Sequence, residues 1–476
     1  MAEKMSFEAP RGMRDFYPED MVWRNKVFDA FRAAGEAAGF EPYDACVVES
    51  YELLARKAGE EVGEQIYHFL DKSERHLALR AEMTPTLARM VAQRQKELAF
   101  PLKWTTIAQC FRYERMTKGR KREHYQWNVD IIGEESILAE AEVIGAAVDA
   151  LRRMGLTTKD FKVHVSSRRL LAEILAGSGI PEDKHAQVFL ALDKRGKMPD
   201  EEIAAMLRDG GVSEEGVKKT FEILTLKTLE DVKGILGSVG SVGSLGSLGS
   251  LGSEGALGSV GSEGALGSVG AFGSVGSVGS EGSVGALGSV GAEGSRGVRE
   301  LEELFRLADI AGFGDALEFD ISVIRGLSYY TGIVFECFDT AGEFRAIFGG
   351  GRYDNLLTTI GGDPATAVGL GFGDVVVTEL LKARLGENAA KAKKGVAVGF
   401  MFPEQRDAAL KLAAKLRGEG EAVDLALRPQ KPKKFFSHAD QSGAARAAFV
   451  GPDDVERGVV RMKDMATREE REIRID

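Results

Sequence analysis

Cysteine is scarce in this chain of 476 residues. The three cysteines, Cys46, Cys110 and Cys337, lie far apart and match neither a disulfide framework nor the spacing of zinc ligands. Their scarcity excludes a disulfide-rich secreted fold and predicts a reduced compartment, which we expect to be the cytoplasm.

Long apolar runs are also missing. No stretch approaches the roughly 20 apolar residues that a membrane-spanning helix needs. The first residues, MAEKMSFEAPRGMRDF, contain no signal-peptide core, and little sequence precedes the apparent fold. We therefore expect no membrane association and no signal peptide, and the start leaves little room for a transit peptide. The length predicts two or three domains.

A general excess of basic residues is absent too, because the formal net charge is −11. This charge argues against a protein whose whole surface binds nucleic acid, but it permits local basic patches. One such patch is the segment RPQKPKK at residues 428–434. It fits either an RNA contact or a solvated loop.

What the sequence does contain is a strong hairpin pattern at residues 103–132. A strand-like run from Lys103 to Arg115 is followed by a turn-prone segment that contains Gly119. A second alternating run extends from Arg122 to Ile132. This order predicts two antiparallel strands joined by a loop.

The two faces of the predicted hairpin differ in chemistry. Since side chains alternate along a strand, one face of the second strand is apolar: Tyr125, Trp127, Val129 and Ile131. The other face of the hairpin is polar: Arg112, Glu114, Arg122, His124, Gln126, Asn128 and Asp130. Cations on a rigid hairpin suit a polyphosphate or a nucleic-acid backbone. A charged hairpin exposed to water is the alternative.

The segment CFRYERMTKGRKREHYQWNVDIIG resembles motif 2 of the class II aminoacyl-tRNA synthetases, in the histidyl-tRNA synthetase version. Other segments resemble that family in the family's order. The opening helix and the strand predicted from Tyr43 to Val48 resemble motif 1, although an ordinary core helix and strand would look the same. A later strand is predicted from Ala316 to Val323. The run from Arg80 to Thr84 resembles the Leu-Arg-Pro-Glu-x-Thr segment, with Ala81 in place of proline. RGLSYYTG and FGGGRYD resemble the two histidine signatures, with Ser328 in place of an aspartate.

The resemblance implies an α+β fold: a class II antiparallel sheet with helices, an inserted helical domain and a C-terminal α/β anticodon-binding domain. The implied domains are the first catalytic part (1–155), the helical insertion (156–233), a Gly-x-y linker (234–297), the second catalytic part (298–385) and the anticodon-binding domain (395–476). Motif 1 would build a homodimer.

The resemblance also implies site residues. Catalysis would fall to Arg112 and Arg325. The implied ATP-binding residues are Arg112, Glu114, Arg120 and Arg325. The implied histidine-binding residues are Glu82, Thr84, Gln126, Asp130, Tyr329 and Tyr330. The implied tRNA contacts are Thr117, Lys118, Arg428, Lys431, Lys433 and Lys434. Glu82 precedes a predicted helix and has an alternative role as an electrostatic cap.

The implied activity is the ATP-dependent ligation of L-histidine to histidine tRNA through histidyl-adenylate. Mg²⁺ would bridge the ATP phosphates, and no protein metal ligand is implied. A catalytically silent paralogue that binds histidine as a regulatory subunit is the alternative. A synthetase for another amino acid is disfavoured by RGLSYY.

Two features depart from the family pattern. The segment ATAVGLGFGDVVVTELL, at residues 365–381, resembles the glycine-rich strand and helix of motif 3. Val376 occupies the position at which motif 3 has an arginine. Some plant-type and bacterial histidyl-tRNA synthetases share the Gly-Phe-Gly-Asp form, which makes this a feature of a branch. Thr117 stands where many bacterial enzymes have a glutamine that reads the extra 5′ guanosine of the tRNA.

A third departure is a run from Gly234 to Gly297 with glycine at every third position. The period is that of collagen, but the run contains no proline, on which collagen's stability depends. We predict a low-complexity linker; a packed bundle of polyglycine-like helices is the alternative.

Overall fold

A computed structural model describes residues 7–57, 65–114, 119–194, 198–236, 294–323, 330–386 and 394–476. The chain forms two compact units. The first contains the described residues of 1–14 and 27–380, and the second contains 15–26 and the described residues of 381–476. Within these ranges, every helix is too short or too polar to cross a membrane.

The first unit is built on an eight-stranded sheet with the order β1-β5-β6-β11-β10-β9-β7-β8. Only the β1–β5 and β7–β8 pairs are parallel among the strand pairs described for this sheet. Its strands are β1 (Glu41–Pro42), β5 (Leu102–Phe111), β6 (Glu123–Ile132), β7 (Phe161–Ser167), β8 (Leu317–Phe319), β9 (Ile333–Asp339), β10 (Phe348–Arg352) and β11 (Ala367–Gly373). A small sheet has the order β2-β4-β3, formed by β2 (Val48–Ser50), β3 (His68–Leu70) and β4 (His76–Leu79). The predicted antiparallel class II sheet is confirmed.

The predicted hairpin is β5 and β6, which pair along ten residues from Leu102↔Ile132 to Phe111↔Glu123. Its apolar face is the packed face. Trp127 stacks on Phe31 with ring centroids 4.8 Å apart, and Phe372 of β11 contacts Phe31 edge-on at 4.7 Å. Burying these aromatic rings fixes the register, since a slip of one residue would turn the polar face into the core.

Helices cover the sheet and extend from it. In chain order they are α1 (Pro18–Ala37), α2 (Tyr51–Lys57), α3 (Thr84–Arg94), α4 (Leu138–Met154), α5 (Arg168–Gly177), α6 (Glu182–Asp193), α7 (Asp200–Asp209), α8 (Glu214–Ile223), α9 (229–236), α10 (Arg296–Ile310), α11 (Leu356–Thr359) and α12 (Asp374–Leu385). Helix α4 stops at Gly155, whose φ of +97° gives a left-handed cap that donates to Arg152 O and Leu151 O.

Two predicted strands are shorter than expected. The segment 43–48 was expected to be one strand, but the chain passes there from the large sheet (β1) to the small one (β2). The carbonyl oxygens of Ala45 and Cys46 accept hydrogen bonds from the Arg80 guanidinium, at 2.9 and 3.5 Å, and not from a neighbouring strand. The run from Ala316 to Val323 forms only β8, because Asp320 ends it by accepting hydrogen bonds from Ser322 N and Oγ.

The boundary of the helical insertion also differs. Residues 161–167 form strand β7 of the large sheet, so the helical part begins at Arg168 and not at 156. The alternating residues Phe161, Val163 and Val165 are fully buried, and this alternation is the signal of a strand. The ends of the Gly-x-y run are helical: α9 includes Gly234, and α10 starts after Ser295, whose side chain caps it at Val298 N. The rest of the run lies outside the described residues.

The second unit contains a five-stranded sheet with the order β13-β12-β14-β15-β16. Its strands are β12 (Lys394–Phe400), β13 (Val423–Leu425), β14 (Ala444–Val450), β15 (Val459–Asp464) and β16 (Glu470–Arg474), with helices α13 (Arg406–Gly418), α14 (Pro432–Gln441) and α15 (Pro452–Arg457). The predicted parallel β-α-β-α-β core is β12, β13 and β14. Strands β15 and β16 are antiparallel additions that we did not predict. The edge strand β16, with the sequence EREIR, is charged and largely exposed, so it lacks the apolar alternation that indicates a strand.

Candidate active site

The polar face of the hairpin continues onto glycines of the neighbouring strand β11, Gly369 and Gly371, which we call the glycine floor. Asp130 of β6 pairs with Gly369 of β11, and Asn128 pairs with Gly371. A Cβ atom at Gly369 would lie 2.0 Å from Asp130 Oδ1, and one at Gly371 would lie 2.5 Å from Gln126 Nε2. The glycines of the motif-3-like strand are therefore required for these two polar side chains to occupy their positions.

Asp130 is the most deeply buried of the predicted histidine contacts that the structure describes, with 1% of its surface exposed. Its Oδ1 accepts a 2.5 Å hydrogen bond from the Tyr353 hydroxyl. Burial raises the pKa of Asp130 to about 7, although the bond from Tyr353 opposes this shift. The FGGGRYD signature predicts that Arg352, Tyr353 and Asp354 either fix the turn or line the pocket, and the hydrogen bond to Asp130 supports the second role for Tyr353.

Under the histidine-binding role that the resemblance implies for Asp130, we expect Gly369→Ala to raise the histidine KM by about 10-fold or more, because displacing a contact by about 1 Å can cost up to about 100-fold. The measurement is histidine-dependent pyrophosphate exchange. Gly373→Ala is the matched control, since it lies on the same strand and a Cβ atom there meets nothing within 4 Å. Equal effects of the two substitutions would show that the floor does not shape the site.

A cluster of charged side chains lies where β5 ends. Arg112 Nε donates to Ala81 O at 3.0 Å, and its guanidinium is 3.9 Å from the carboxylates of both Glu82 and Glu114. Glu114 also pairs with Arg120 at 2.8 Å. The hairpin thus brings four predicted site residues together: Glu82, Arg112, Glu114 and Arg120.

Thr84 and Tyr330 lie deeper in the same unit. Thr84 is the buried first residue of α3, and it lines a small, largely apolar cavity with Tyr353. Tyr330 is 7% exposed, and its ring is so close to Gly351 that a Cβ atom there would lie 2.9 Å from Tyr330 Cδ1. Both tyrosines belong to one apolar cluster, together with Leu87.

Four predicted site residues lie outside the described residues: Arg325, Tyr329, Thr117 and Lys118. Their assignments stay predictions. The others are described, and the four basic residues of the C-terminal patch, Arg428, Lys431, Lys433 and Lys434, are all exposed in the second unit.

The arginine of FGGGRYD stabilises the fold. Arg352 makes a bidentate pair with Glu140, at 2.6 and 2.7 Å, and donates to the carbonyl oxygens of Glu134 and Ser136. Both charged side chains are almost completely buried. Of the expected roles for Arg352, fixing the turn is therefore the one that its contacts support.

The donor set fits Mg²⁺ that arrives with ATP. Within the described parts of the chain, no group of three or more His, Cys, Asp or Glu side chains could hold a metal ion. Mg²⁺ usually binds one or two carboxylates together with substrate phosphates. Glu82 and Glu114 both face the Arg112 guanidinium, so most of the oxygens around such an ion would come from the substrate phosphates and water.

The family model for histidyl-tRNA synthetase matches residues 12–236 and 287–373. The chain belongs to the histidyl-tRNA synthetase family. The anticodon-binding domain model matches residues 394–476, and a collagen triple helix repeat model matches 233–299. The collagen match reflects the glycine period of a run that lacks proline.

Curated relatives agree over the whole chain. The histidine–tRNA ligase, chloroplastic/mitochondrial, of Arabidopsis thaliana is 38% identical over 99% of this chain and 86% of its own length. The histidine–tRNA ligase of Opitutus terrae is 34% identical over 98% of this chain and 96% of its own length.

Solved structures share the fold. The histidyl-tRNA synthetase from Nostoc sp. PCC 7120 superposes with a TM-score of 0.74 at 23% identity, covering 99% of this chain and 98% of its own. A Bacillus halodurans C protein described as an ATP phosphoribosyltransferase regulatory subunit/histidyl-tRNA synthetase superposes with a TM-score of 0.68 at 22% identity, covering 94% of this chain and 98% of its own. Because both descriptions occur with one fold, the fold alone does not separate an enzyme from a regulatory paralogue.

Proposed function

We propose that this chain ligates L-histidine to histidine tRNA in two steps. The histidine carboxylate attacks the α-phosphate of ATP, which forms histidyl-adenylate and releases pyrophosphate. A ribose hydroxyl at the 3′ end of the tRNA then takes the histidyl group and releases AMP. The observation that carries this proposal is the hairpin itself, which holds Arg112 between two carboxylates at one end and Asp130 on a glycine floor along the same face.

Catalysis in this proposal depends on position and charge. Arg112 and Arg325 hold the α-phosphate and stabilise the charge that develops on it. Glu114 accepts the adenine amino group, and Arg120 contacts the outer phosphates. Since Glu114 and Arg120 are paired with each other, ATP has to share or open that ion pair when it binds. Mg²⁺ bound with ATP would neutralise phosphate charge.

Histidine selection in this proposal rests on buried polar groups. The proposed contacts are Glu82, Thr84, Gln126, Asp130, Tyr329 and Tyr330. Gln126 is oriented by donating to Asn128 Oδ1 at 3.0 Å, and Asp130 is oriented by Tyr353. An amino acid without an imidazole would leave these buried groups unpaired, which is costly.

We expect the histidine KM to fall as the pH rises from 6 to 8. Asp130 accepts an imidazole N–H best when it is ionised, and burial raises its pKa to about 7. Asp130→Asn should remove this pH dependence; the measurement is pyrophosphate exchange across the pH range. A pH-dependent fall that persists unchanged in Asp130→Asn would contradict the assignment.

The same pKa shift predicts an effect on stability. A raised carboxyl pKa gives stability that is complete below the unfolded value near 3.8 and is lost as the pH rises through about 7. Because Asn does not titrate, the midpoint temperature of Asp130→Asn should rise relative to that of the wild type between about pH 4 and pH 7, and the difference should stay constant above about pH 8.

Contacts with tRNA are proposed for Thr117, Lys118 and the exposed patch of Arg428, Lys431, Lys433 and Lys434. Lys433 and Lys434 lie in the first turn of α14, where the helix dipole disfavours cations. Positive charge concentrated at a helix start favours an anionic partner such as RNA phosphate.

The decisive experiment is pyrophosphate exchange with histidine and with the other amino acids. Exchange with histidine alone supports the proposal. A folded protein that binds histidine but exchanges with no amino acid would be the regulatory paralogue, which the full-length similarity to histidine–tRNA ligases does not favour.

We also propose that the chain forms a homodimer and acts in the cytoplasm. The small sheet and the turn before it expose apolar side chains, Val47, Val48, Phe69 and Leu70, the last with 66% of its surface accessible. Exposed apolar groups of this kind are typical of subunit contacts. Light scattering coupled to size-exclusion chromatography tests the dimer, and a monomer at micromolar concentration would exclude it.

A further inference from the structure

Arg14, near the start of the first unit, lies between two buried carboxylates. Its guanidinium is 3.2 Å from Glu123 at the start of β6 and 3.0 Å from Asp374 at the start of α12. Both carboxylates are 3% exposed. Burial raises the pKa of Asp374, and Arg14 opposes this shift. One cation thus joins the hairpin to the helix that follows the glycine-rich strand.

The Asp374 carboxylate also extends the central strand pairing. The β6–β11 ladder ends at Gln126↔Gly373, and one residue further on Asp374 Oδ1 accepts the Tyr125 N–H at 2.9 Å. A side chain therefore replaces the next backbone acceptor. Gln109 Nε2 donates to Glu123 at 3.3 Å, which ties β5 to the same cluster.

The backbone next to Arg14 holds the hairpin as well. Gly12 O accepts the Arg122 N–H at 3.0 Å, and Arg122 O accepts the Arg112 N–H at 2.9 Å. A Cβ atom at Gly12, where φ is +91°, would lie 2.7 Å from Arg122 Cγ, so the segment lies directly on the hairpin. Residues 12–14 thus brace the strand ends that carry Arg112.

Val376, which stands in place of the motif 3 arginine, lies beside Gly119 of the hairpin loop. Its Cγ2 would lie 3.4 Å from a Cβ atom at Gly119, the residue before Arg120. An apolar side chain there supplies no charge to a phosphate. Helix α12 is therefore linked to the hairpin by Asp374, which pairs with Arg14 and accepts the Tyr125 N–H.

We propose that Arg14 is a positioning residue for ATP: with Asp374 and Glu123 it fixes the ends of β5 and β6 so that Arg112, Glu114 and Arg120 converge. This inference rests on the proposed function. Arg14 acts through its two carboxylate partners and touches no substrate. In this chain, the bracing by Arg14 and Asp374 accompanies the loss of the arginine at position 376.

The test compares Arg14→Lys, Arg14→Met and Asp374→Asn in pyrophosphate exchange, with KM measured separately for ATP and histidine. We expect Arg14→Met and Asp374→Asn to raise the ATP KM by about 10-fold, with the histidine KM within about twofold of wild type. Arg14→Lys should recover part of the loss, because it keeps the charge but not the two-sided fork. Asp374→Asn keeps an oxygen that accepts the Tyr125 N–H. It therefore tests the same ion pair even if Arg14→Met fails to fold.

Lys103→Gln is the matched control. Lys103 lies near the other end of β5 and pairs with Glu142 at 2.7 Å, away from the hairpin loop. It should change the midpoint temperature without changing the ATP KM. The inference is overturned if the Arg14 and Asp374 variants keep the wild-type ATP KM. Such variants would show only a lower midpoint temperature or a smaller fraction of active enzyme. Absence of exchange in the wild type would instead reject the proposed function.

Discussion

Arg112→Ala is expected to lower histidine-dependent pyrophosphate exchange, measured as kcat/KM for ATP, by about 100- to 1,000-fold, the usual cost of removing one donor to a developing charge. The Arg112 side chain donates one hydrogen bond to Ala81 O, and its guanidinium lies 3.9 Å from the carboxylates of Glu82 and Glu114. These contacts orient the guanidinium before a phosphate binds. Arg112→Lys should recover little, because a lysine cannot reproduce the planar fork.

Lys121→Ala is the control for Arg112→Ala. Lys121 is an exposed cation of the same hairpin. Its removal should alter exchange without tRNA by less than about threefold, because salt and solvent screen an exposed charge. If Arg112→Ala exchanged within 10-fold of the wild type, Arg112 would not contact the reacting phosphate.

Arg352→Met is expected to lower the free energy of unfolding by about 3–5 kcal/mol, because it leaves the Glu140 carboxylate buried without its partner. The pair is bidentate, and 6% and 0% of the two side chains are exposed. Burial raises the pKa of Glu140 even with Arg352 present. The stability loss should therefore be smaller at low pH, where Glu140 is protonated. Urea denaturation at pH 5 and pH 8 measures both effects.

Two comparisons make this prediction specific. Arg352→Met combined with Glu140→Leu should recover most of the lost stability, since a buried ion pair can be replaced by apolar side chains. Arg153→Met breaks an exposed pair with Asp149 on the same helix α4, and it should cost less than about 1 kcal/mol. If the double variant were as unstable as Arg352→Met, the loss would come from the carbonyl contacts of Arg352.

Much of the candidate site was predictable because its signals are local. Alternation from Arg122 to Ile132 revealed both faces of β6, and the motif-3-like segment indicated β11. The glycine triplet did not indicate β10, because glycine is uncommon in strands. The segments 43–48 and 316–323 were harder, because apolar residues continue there while side-chain hydrogen bonds from Arg80 and to Asp320 end the strands.

The sequence by itself determined the hairpin, the glycine-rich strand β11, the family and most of the polar residues proposed for the site. Only the tertiary structure decided which partners those residues take. Tyr353 reaches Asp130 across 223 residues, Arg352 reaches Glu140 across 212, and Arg14 reaches Asp374 across 360. The physical reason is that the sheet order β6-β11-β10 places strands side by side that are far apart in sequence. A buried charge needs a partner, and that partner comes from a neighbouring element that the local sequence pattern does not identify.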